Sequence, residues 1–190
     1  MVEHRDDLVK HRTQTIYRLH VLLVRLVPAG APTNLGADVA AGLLRRVRAR
    51  GPIQATLRAL STELISEIRH LDRRIATAGE QITAAVTATG STLTDLRGIG
   101  PLLAGKILAR VETVTRFRSP GAFACSNGTA PIEVSSGDVV RHRLSRAGDR
   151  QLNHCLHRMA ITQLASDTTG RAYSRRKRAA GKATRKLCAA

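Results

Sequence analysis

From Ile53 to about Thr89 one apolar pattern repeats: Leu57, Leu64, Ile68, Leu71, Ile75, Ala78 and Ile82 fall at heptad positions, with Ser61 the single polar interruption. A pattern of that length specifies one long helix. Glu63, Glu67, Arg69, Arg73 and Arg74 lie off the seam, so the helix has one face to bury and one to solvate. The seam predicts a coiled-coil arm, either folded back on an earlier helix or paired with a second copy of the chain. A long helix in an ordinary bundle has the same spacing.

The earlier helix is legible at residues 3 to 26, where Ile16, Leu19, Leu23 and Leu26 recur at alternating spacings of three and four. Continued backwards, that stripe meets Arg12 before Leu8, so its first turns lie at an edge or need a charged partner. Pro28, Gly30 and Pro32 mark a loop, a short helix is expected from about Leu35 to Val47, and Arg45, Arg46, Arg48 and Arg50 lead into the breaking pair Gly51-Pro52. With two Phe, two Tyr and no Trp, the core must be Leu, Ile, Val and Ala, which suits packed helices. A mainly α fold is therefore expected: a helical coiled-coil arm over 1–90, a small helical domain over 91–170, and a basic tail over 171–190.

The small domain opens on Leu93 to Val111. Leu93 and Leu96 precede Gly98-Ile99-Gly100-Pro101, and Ala104, Ile107, Leu108 and Val111 follow on one face. This reads as a helix-hairpin-helix. Both glycines permit positive φ, and Pro101 suits a first helical position, so the turn is expected to offer backbone N–H groups to a phosphate. Arg97, Lys106 and Arg110 would add charge, and the contact would grip a nucleic-acid backbone without reading bases. A Gly-rich corner between two core helices is the simpler alternative.

Formal charge is +17, from 31 basic and 14 acidic residues, which points to a polyanionic partner. No apolar run is long enough to span a bilayer and the N-terminus lacks the apolar stretch of a signal peptide, so a cytoplasmic protein without a membrane partner is expected. Cys125, Cys155 and Cys188 are too widely spaced for a metal site and are read as free thiols. His154 and His157 flank Cys155 with no second ligand pair, and read as surface residues; no metal site is expected.

Further along, Ser119-Pro120 starts a short helix through Cys125, and Asn127, Gly128 and Pro131 mark a turn. Ile132 to Val140 reads as two short extended pieces joined at Ser136-Gly137, followed by a basic loop from Arg141 to Arg150 and a buried helix from Gln151 to Ala165. Beyond Gly170 come Arg171, Arg175, Arg176, Lys177, Arg178, Lys182, Arg185 and Lys186 without an acidic residue, either a basic helix awaiting a polyanion or a solvated charge run. Chemistry is conceivable at Ser135-Ser136-Gly137. A serine attacking a phosphodiester needs its proton removed and the phosphate charge stabilised. Arg141, Arg143, Arg146 and Arg150 suit the second need, and His142 is the nearby candidate for the first. Ser-Gly is also an ordinary turn pair.

The order Gly98-Ile99-Gly100-Pro101, Phe117, Asn127-Gly128-Thr129-Ala130-Pro131, Ser135-Ser136-Gly137, Arg143-Leu144-Ser145-Arg146-Ala147-Gly148, Leu152, Met159 and Gly170-Arg171-Ala172-Tyr173 closely resembles the C-terminal domain of insertion-sequence transposases of the IS-one-hundred-ten type. The region from Leu8 to Ile82 looks like the coiled-coil part that precedes it. The resemblance implies DNA recombination in which a serine links covalently to DNA, Ser136 by position with Ser135 the alternate. It also implies a bridge RNA as guide, a homo-oligomer joined through the arm, and Mg²⁺ held by a separate acidic RuvC-like domain, with no cofactor bound by this chain. Asp149 stands where the family usually has Asn, and Ser126 where it has an aromatic. The acidic quartet has no counterpart in these residues, so a truncated frame, inactive alone, is expected. A non-catalytic DNA- or RNA-binding protein using the hairpin and the basic tail is the alternative.

Overall fold

The computed structural model describes residues 1–139 and 141–181, without the side chain of Leu144. It is mainly helical, with helices α1 (Val2–Leu26), α2 (Ala37–Arg46), α3 (Pro52–Ala88), α4 (Pro101–Val111), α5 (Pro120–Ser126), α6 (Arg150–Ala165) and α7 (Thr169–Ala179), and one antiparallel pair, β1 (Pro131–Glu133) with β2 (His142–Leu144). Two compact units divide within α3, the first spanning Met1–Ile82 and the second beginning at Thr83.

In the first unit α3 is folded back on α1 and α2 closes the third side. Leu19, Leu23 and Leu26 of α1, Ala37, Ala40 and Leu44 of α2, and Ile65 and Ile68 of α3 form one core with Leu35. Sequence spacing placed Leu57 and Leu64 on the seam; both are half-buried, while Ile65, outside the heptad reading, is buried. A third helix widens the buried face beyond a two-stranded seam, which is why a bundle pattern replaces a strict heptad. The buried hydroxyls of Thr15 and Ser61 donate to the carbonyls of His11 and Leu57 one turn back, so neither is an unsatisfied polar group.

The charged partner that Arg12 required is Asp72 of α3, bound through the guanidinium Nε. Asp38 and Arg69 pair at 2.9 Å and His11 with Glu67 at 3.1 Å, so polar links border the apolar face along the unit. Chain breaks follow local chemistry. Val27, forced extended before Pro28, ends α1, and Gly51 at φ +101 turns the chain so that Pro52 can start α3.

In the second unit α4 and α7 each pack on α6. The element before α4 is a single 3-10 turn, Thr92–Asp95, rather than the α-helix expected, and Leu96 is left exposed. Ile99 is buried instead, along with Ala104, Ile107 and Val111 of α4 and Leu152 and Cys155 of α6. Helix α5 starts as expected, with the Ser119 hydroxyl accepting from the Ala122 N–H at 3.1 Å. Lys182, Arg185, Lys186 and Cys188 lie outside the described residues.

Candidate functional site

The two glycines of the expected phosphate-binding turn do different things. Gly98 adopts φ +96 and lies against α6, where a Cβ would meet Thr162 Cβ at 3.0 Å and the Met159 carbonyl at 3.1 Å. Gly100 has φ −84 and serves as the N-cap of α4, with nothing within 4 Å of a Cβ built on it. The Ile99 N–H closes the turn onto the Leu96 carbonyl at 3.0 Å. Gly98 is thus glycine for helix packing, the corner reading. A bulky residue there disturbs the fold before it disturbs a phosphate. Arg97 is exposed, its Nε donating to Ser166 Oγ at 3.1 Å.

Arg110 does not flank that turn as expected; it sits at the other end of α4 and binds Asp149 at 3.3 Å. Asp149 caps α6, its Oδ1 accepting from the N–H groups of Gln151 at 2.9 Å and Leu152 at 3.0 Å. Partial burial pushes this carboxyl up, but the Leu152 N–H, the Arg110 charge and the Gln151 N–H outweigh it and hold the group below the ordinary carboxylate value. A depressed folded pKa means the contribution to stability is present above the unfolded pKa and is lost as pH falls through the folded one. Asp149→Ala is expected to lower unfolding free energy by about 1–2 kcal/mol, with Asp149→Asn much milder because the amide oxygen still caps. Urea titrations at neutral pH and at pH below the carboxylate range measure this, and equal stability of all three at neutral pH would refute it.

Asp149 also closes a clamp. Its N–H donates to the Ser126 carbonyl at 2.8 Å, and Asn153 Nδ2 donates to the Asn127 carbonyl at 3.0 Å. Gly128 at φ +73 and Gly148 at φ +87 allow the two segments to touch, since a Cβ on Gly148 would stand 2.7 Å from the Ser126 carbonyl oxygen. Asn127 is fully buried in this contact. The chain between residues 129 and 147 therefore leaves and returns at one fixed point.

What the clamp holds is a β-hairpin. Pro131, Ile132 and Glu133 face Leu144, Arg143 and His142, the Val134 N–H donates to the Arg141 carbonyl at 2.7 Å, and Ser136 bridges Val139. The turn is Gly137-Asp138, one residue later than expected, and the second strand lies within the stretch read as a basic loop. Positive φ at Gly137 alone (+58) gives the two-residue turn whose twist suits a hairpin.

Directly opposed residues share a face, and faces alternate along a strand. Ser136 therefore lies on the face of Arg141 and Arg143, while Ser135 lies on the face of Glu133 and His142. Ser135 Oγ donates to Glu133 Oε1 at 2.6 Å, and among the described residues the Ser136 hydroxyl has no hydrogen-bond partner. His142, the candidate base, is thus on the opposite face from Ser136. Both serines, Arg141, Arg143, Arg146 and Arg150 are exposed, and none of these arginines has a carboxylate within 4.0 Å among the described residues.

The expected binding residues fall into two groups. Arg97 and Gly98 lie beside Met159 to Ser166 near the end of α6, whereas the hairpin, Arg110 and Arg150 lie at its start, roughly 15–20 Å away along the helix. Lys106 is half-buried between them on α4. The clamp residues Gly128, Gly148 and Asn153 were absent from the expected site; two glycines needing positive φ on either side of a serine turn are the sequence signal for it.

A family model described as Transposase IS116/IS110/IS902 family matches residues 90–175, the stretch that holds the clamp, the hairpin and the first part of α7. Residues 90–175 belong to the IS116/IS110/IS902 transposase family. The chain is similar to a probable family 20 transposase of Pseudomonas aeruginosa, 32% identical over 157 residues, covering 80% of this chain and 46% of that protein. It is also similar to the insertion element IS110 uncharacterized 43.6 kDa protein of Streptomyces coelicolor, 33% identical over 116 residues, covering 60% of this chain and 28% of that one. The chain thus spans about half, or less, of the length of these relatives. In transposase terms, the matched residues carry the serine hairpin, while α1, α2 and α3 precede them. No group of three or more His, Cys, Asp or Glu among the described residues fits a metal ion, and no described helix is long and apolar enough to cross a membrane.

Proposed function

We propose that this chain is the serine-bearing and arm-bearing part of a DNA transposase, with residues 1–90 as arm, 91–170 as the strand-transfer domain and 171–190 as a basic extension. One observation carries the reading. Ser136 stands at the turn of an exposed hairpin, on the face of two arginines that have no carboxylate partner among the described residues, and the hairpin is clamped at its base. A nucleophile presented to a phosphodiester needs reach, nearby positive charge and a fixed origin, and this arrangement supplies all three.

In the proposed step Ser136 Oγ attacks phosphorus, the bond to the departing deoxyribose oxygen breaks, and the phosphodiester is conserved as a serine ester. The serine proton leaves to solvent or to a base from another domain, and the departing oxygen takes up a proton. Arg141 and Arg143 offset the charge on the phosphate oxygens. No group of described residues fits Mg²⁺, so that ion would be held by an acidic domain outside residues 1–181, and the guide RNA and the DNA are the proposed partners. The arm is proposed to join two copies; Tyr17, Val21 and Val24 form a second, exposed apolar row on α1 that supports this.

The test is a denaturing gel for a protein–DNA adduct, using the chain with a full-length relative lacking its own serine, guide RNA, matched donor and target DNA, and Mg²⁺. An adduct that forms only with the partner is expected. No adduct, where the intact relative makes one, refutes strand transfer. A second reading, nucleic-acid binding without chemistry, is favoured by the net charge of +17 and predicts binding with no adduct.

A further inference from the structure

Tyr173 has no place in the strand-transfer reading, and its setting is unusual. The chain has four aromatic residues, two Phe and two Tyr. Phe117 and Phe123 pack edge to face at 5.2 Å, whereas Tyr173 is 48% exposed on α7. Ser174, its neighbour, is buried, so α7 is seated and the Tyr173 ring is turned out by that seating. Arg176 and Lys177, one turn on, each approach the ring at 5.5 Å from its centroid. Arg171, Arg175 and Arg178 complete five cations in a helix of 11 residues, and among the described residues none of the five has a carboxylate within 4.0 Å.

Arg176, Lys177 and Arg178 in the last turn suit the helix dipole, but the rest of the charge opposes the helix it sits on. Arg171 lies in the first turn, where the helix dipole disfavours a cation, and Arg171 and Arg175 repel at i,i+4. A phosphate backbone removes that repulsion. Phosphates alone leave the ring unexplained. A base has a π-face to offer the ring only when unpaired, because duplex formation covers it. An exposed cation–π contact is weaker than a base stacked on tyrosine, so a base can displace Arg176 or Lys177 from the ring and leave them free for the flanking phosphates.

We propose that Tyr173, with Arg176 and Lys177, is a stacking platform for an unpaired base of a single-stranded nucleic acid whose phosphates run along α7. The proposal rests on the nucleic-acid-binding half of the function above and not on Ser136.

Tyr17→Phe in the full chain leaves Tyr173 as the sole fluorescent ring, since there is no Trp. Titration with a short DNA strand, the same sequence as RNA, the matched duplex and inorganic polyphosphate separates stacking from charge. Single strands are expected to quench Tyr173, and the DNA and RNA arms identify which is preferred. Duplex and polyphosphate are expected to bind without quenching. Tyr173→Leu should weaken single-strand binding about 5- to 150-fold, with Tyr173→Phe retaining it and duplex binding changed less than about twofold. Single strands that bind without quenching, equal quenching by polyphosphate, or Tyr173→Leu binding as tightly as the parent would each overturn the platform. No binding in any arm would overturn the nucleic-acid reading itself.

Discussion

Gly128→Ala is expected to cost roughly 3 kcal/mol of stability. Two effects add. At φ +73 an L residue is strained by about 1–2 kcal/mol, and its Cβ would fall well inside contact distance of the Ala147 carbonyl oxygen. That oxygen belongs to backbone held by the Gly148 turn, so it has no rotamer with which to step aside. Gly148→Ala is expected to behave alike, because its Cβ would stand 2.8 Å from the Gly128 N and 2.7 Å from the Ser126 carbonyl oxygen. Gly137→Ala isolates the first effect: φ is +58 but nothing lies within 4 Å, so about 1–2 kcal/mol is expected. Gly100→Ala, at φ −84 and in open space, isolates neither and is expected to be close to neutral. Chemical denaturation of the four variants gives the order. If Gly128→Ala unfolds at the same urea concentration as Gly100→Ala, the two segments do not touch as described and the hairpin has no fixed base.

The helices of this chain were legible because each carries its own instructions. Pro28, Gly51-Pro52 and Ser119-Pro120 fix ends locally, and the stripe through Leu19, Leu23 and Leu26 names the face that α1 buries. The Arg12 anomaly in that stripe left an edge or a charged partner as the alternatives, and Asp72 is that partner. The long-range contacts were not legible. Nothing local to Arg110 distinguishes a phosphate ligand from the partner of a carboxylate 39 residues away. Nothing local to Gly98 says whether its missing Cβ makes room for a phosphate or for Met159. The serine turn was placed one residue early for a similar reason. Ser-Gly and Gly-Asp are both acceptable turn centres, and only the cross-strand register, set by Val134 with Arg141, chooses between them. That register then decides which arginines and which acid or base share a face with each serine, a distinction no spacing rule supplies.

Ser136→Ala is expected to abolish the protein–DNA adduct in the partner-complemented reaction and to leave DNA affinity within about twofold, because one exposed hydroxyl adds little to binding by a surface this basic. The loss should be complete, since the one other hydroxyl on that side among the described residues, Ser145, lies at the clamped base and not at the turn. Arg143→Ala, four strand positions beyond Val139 on the same face, should keep some adduct but slow its formation by roughly 10²–10³-fold, the usual scale for removing one charge-stabilising donor. Ser135→Ala is the decisive control. Its hydroxyl lies on the other face and already donates to Glu133 at 2.6 Å, so its removal should reduce the rate modestly, through the hairpin's local order alone. Loss of the adduct in Ser135→Ala with retention in Ser136→Ala would reverse the assignment. The nucleophile would then sit on the Glu133 and His142 face, where a carboxylate already holds the hydroxyl proton and Arg141 and Arg143 point away from the reacting phosphate.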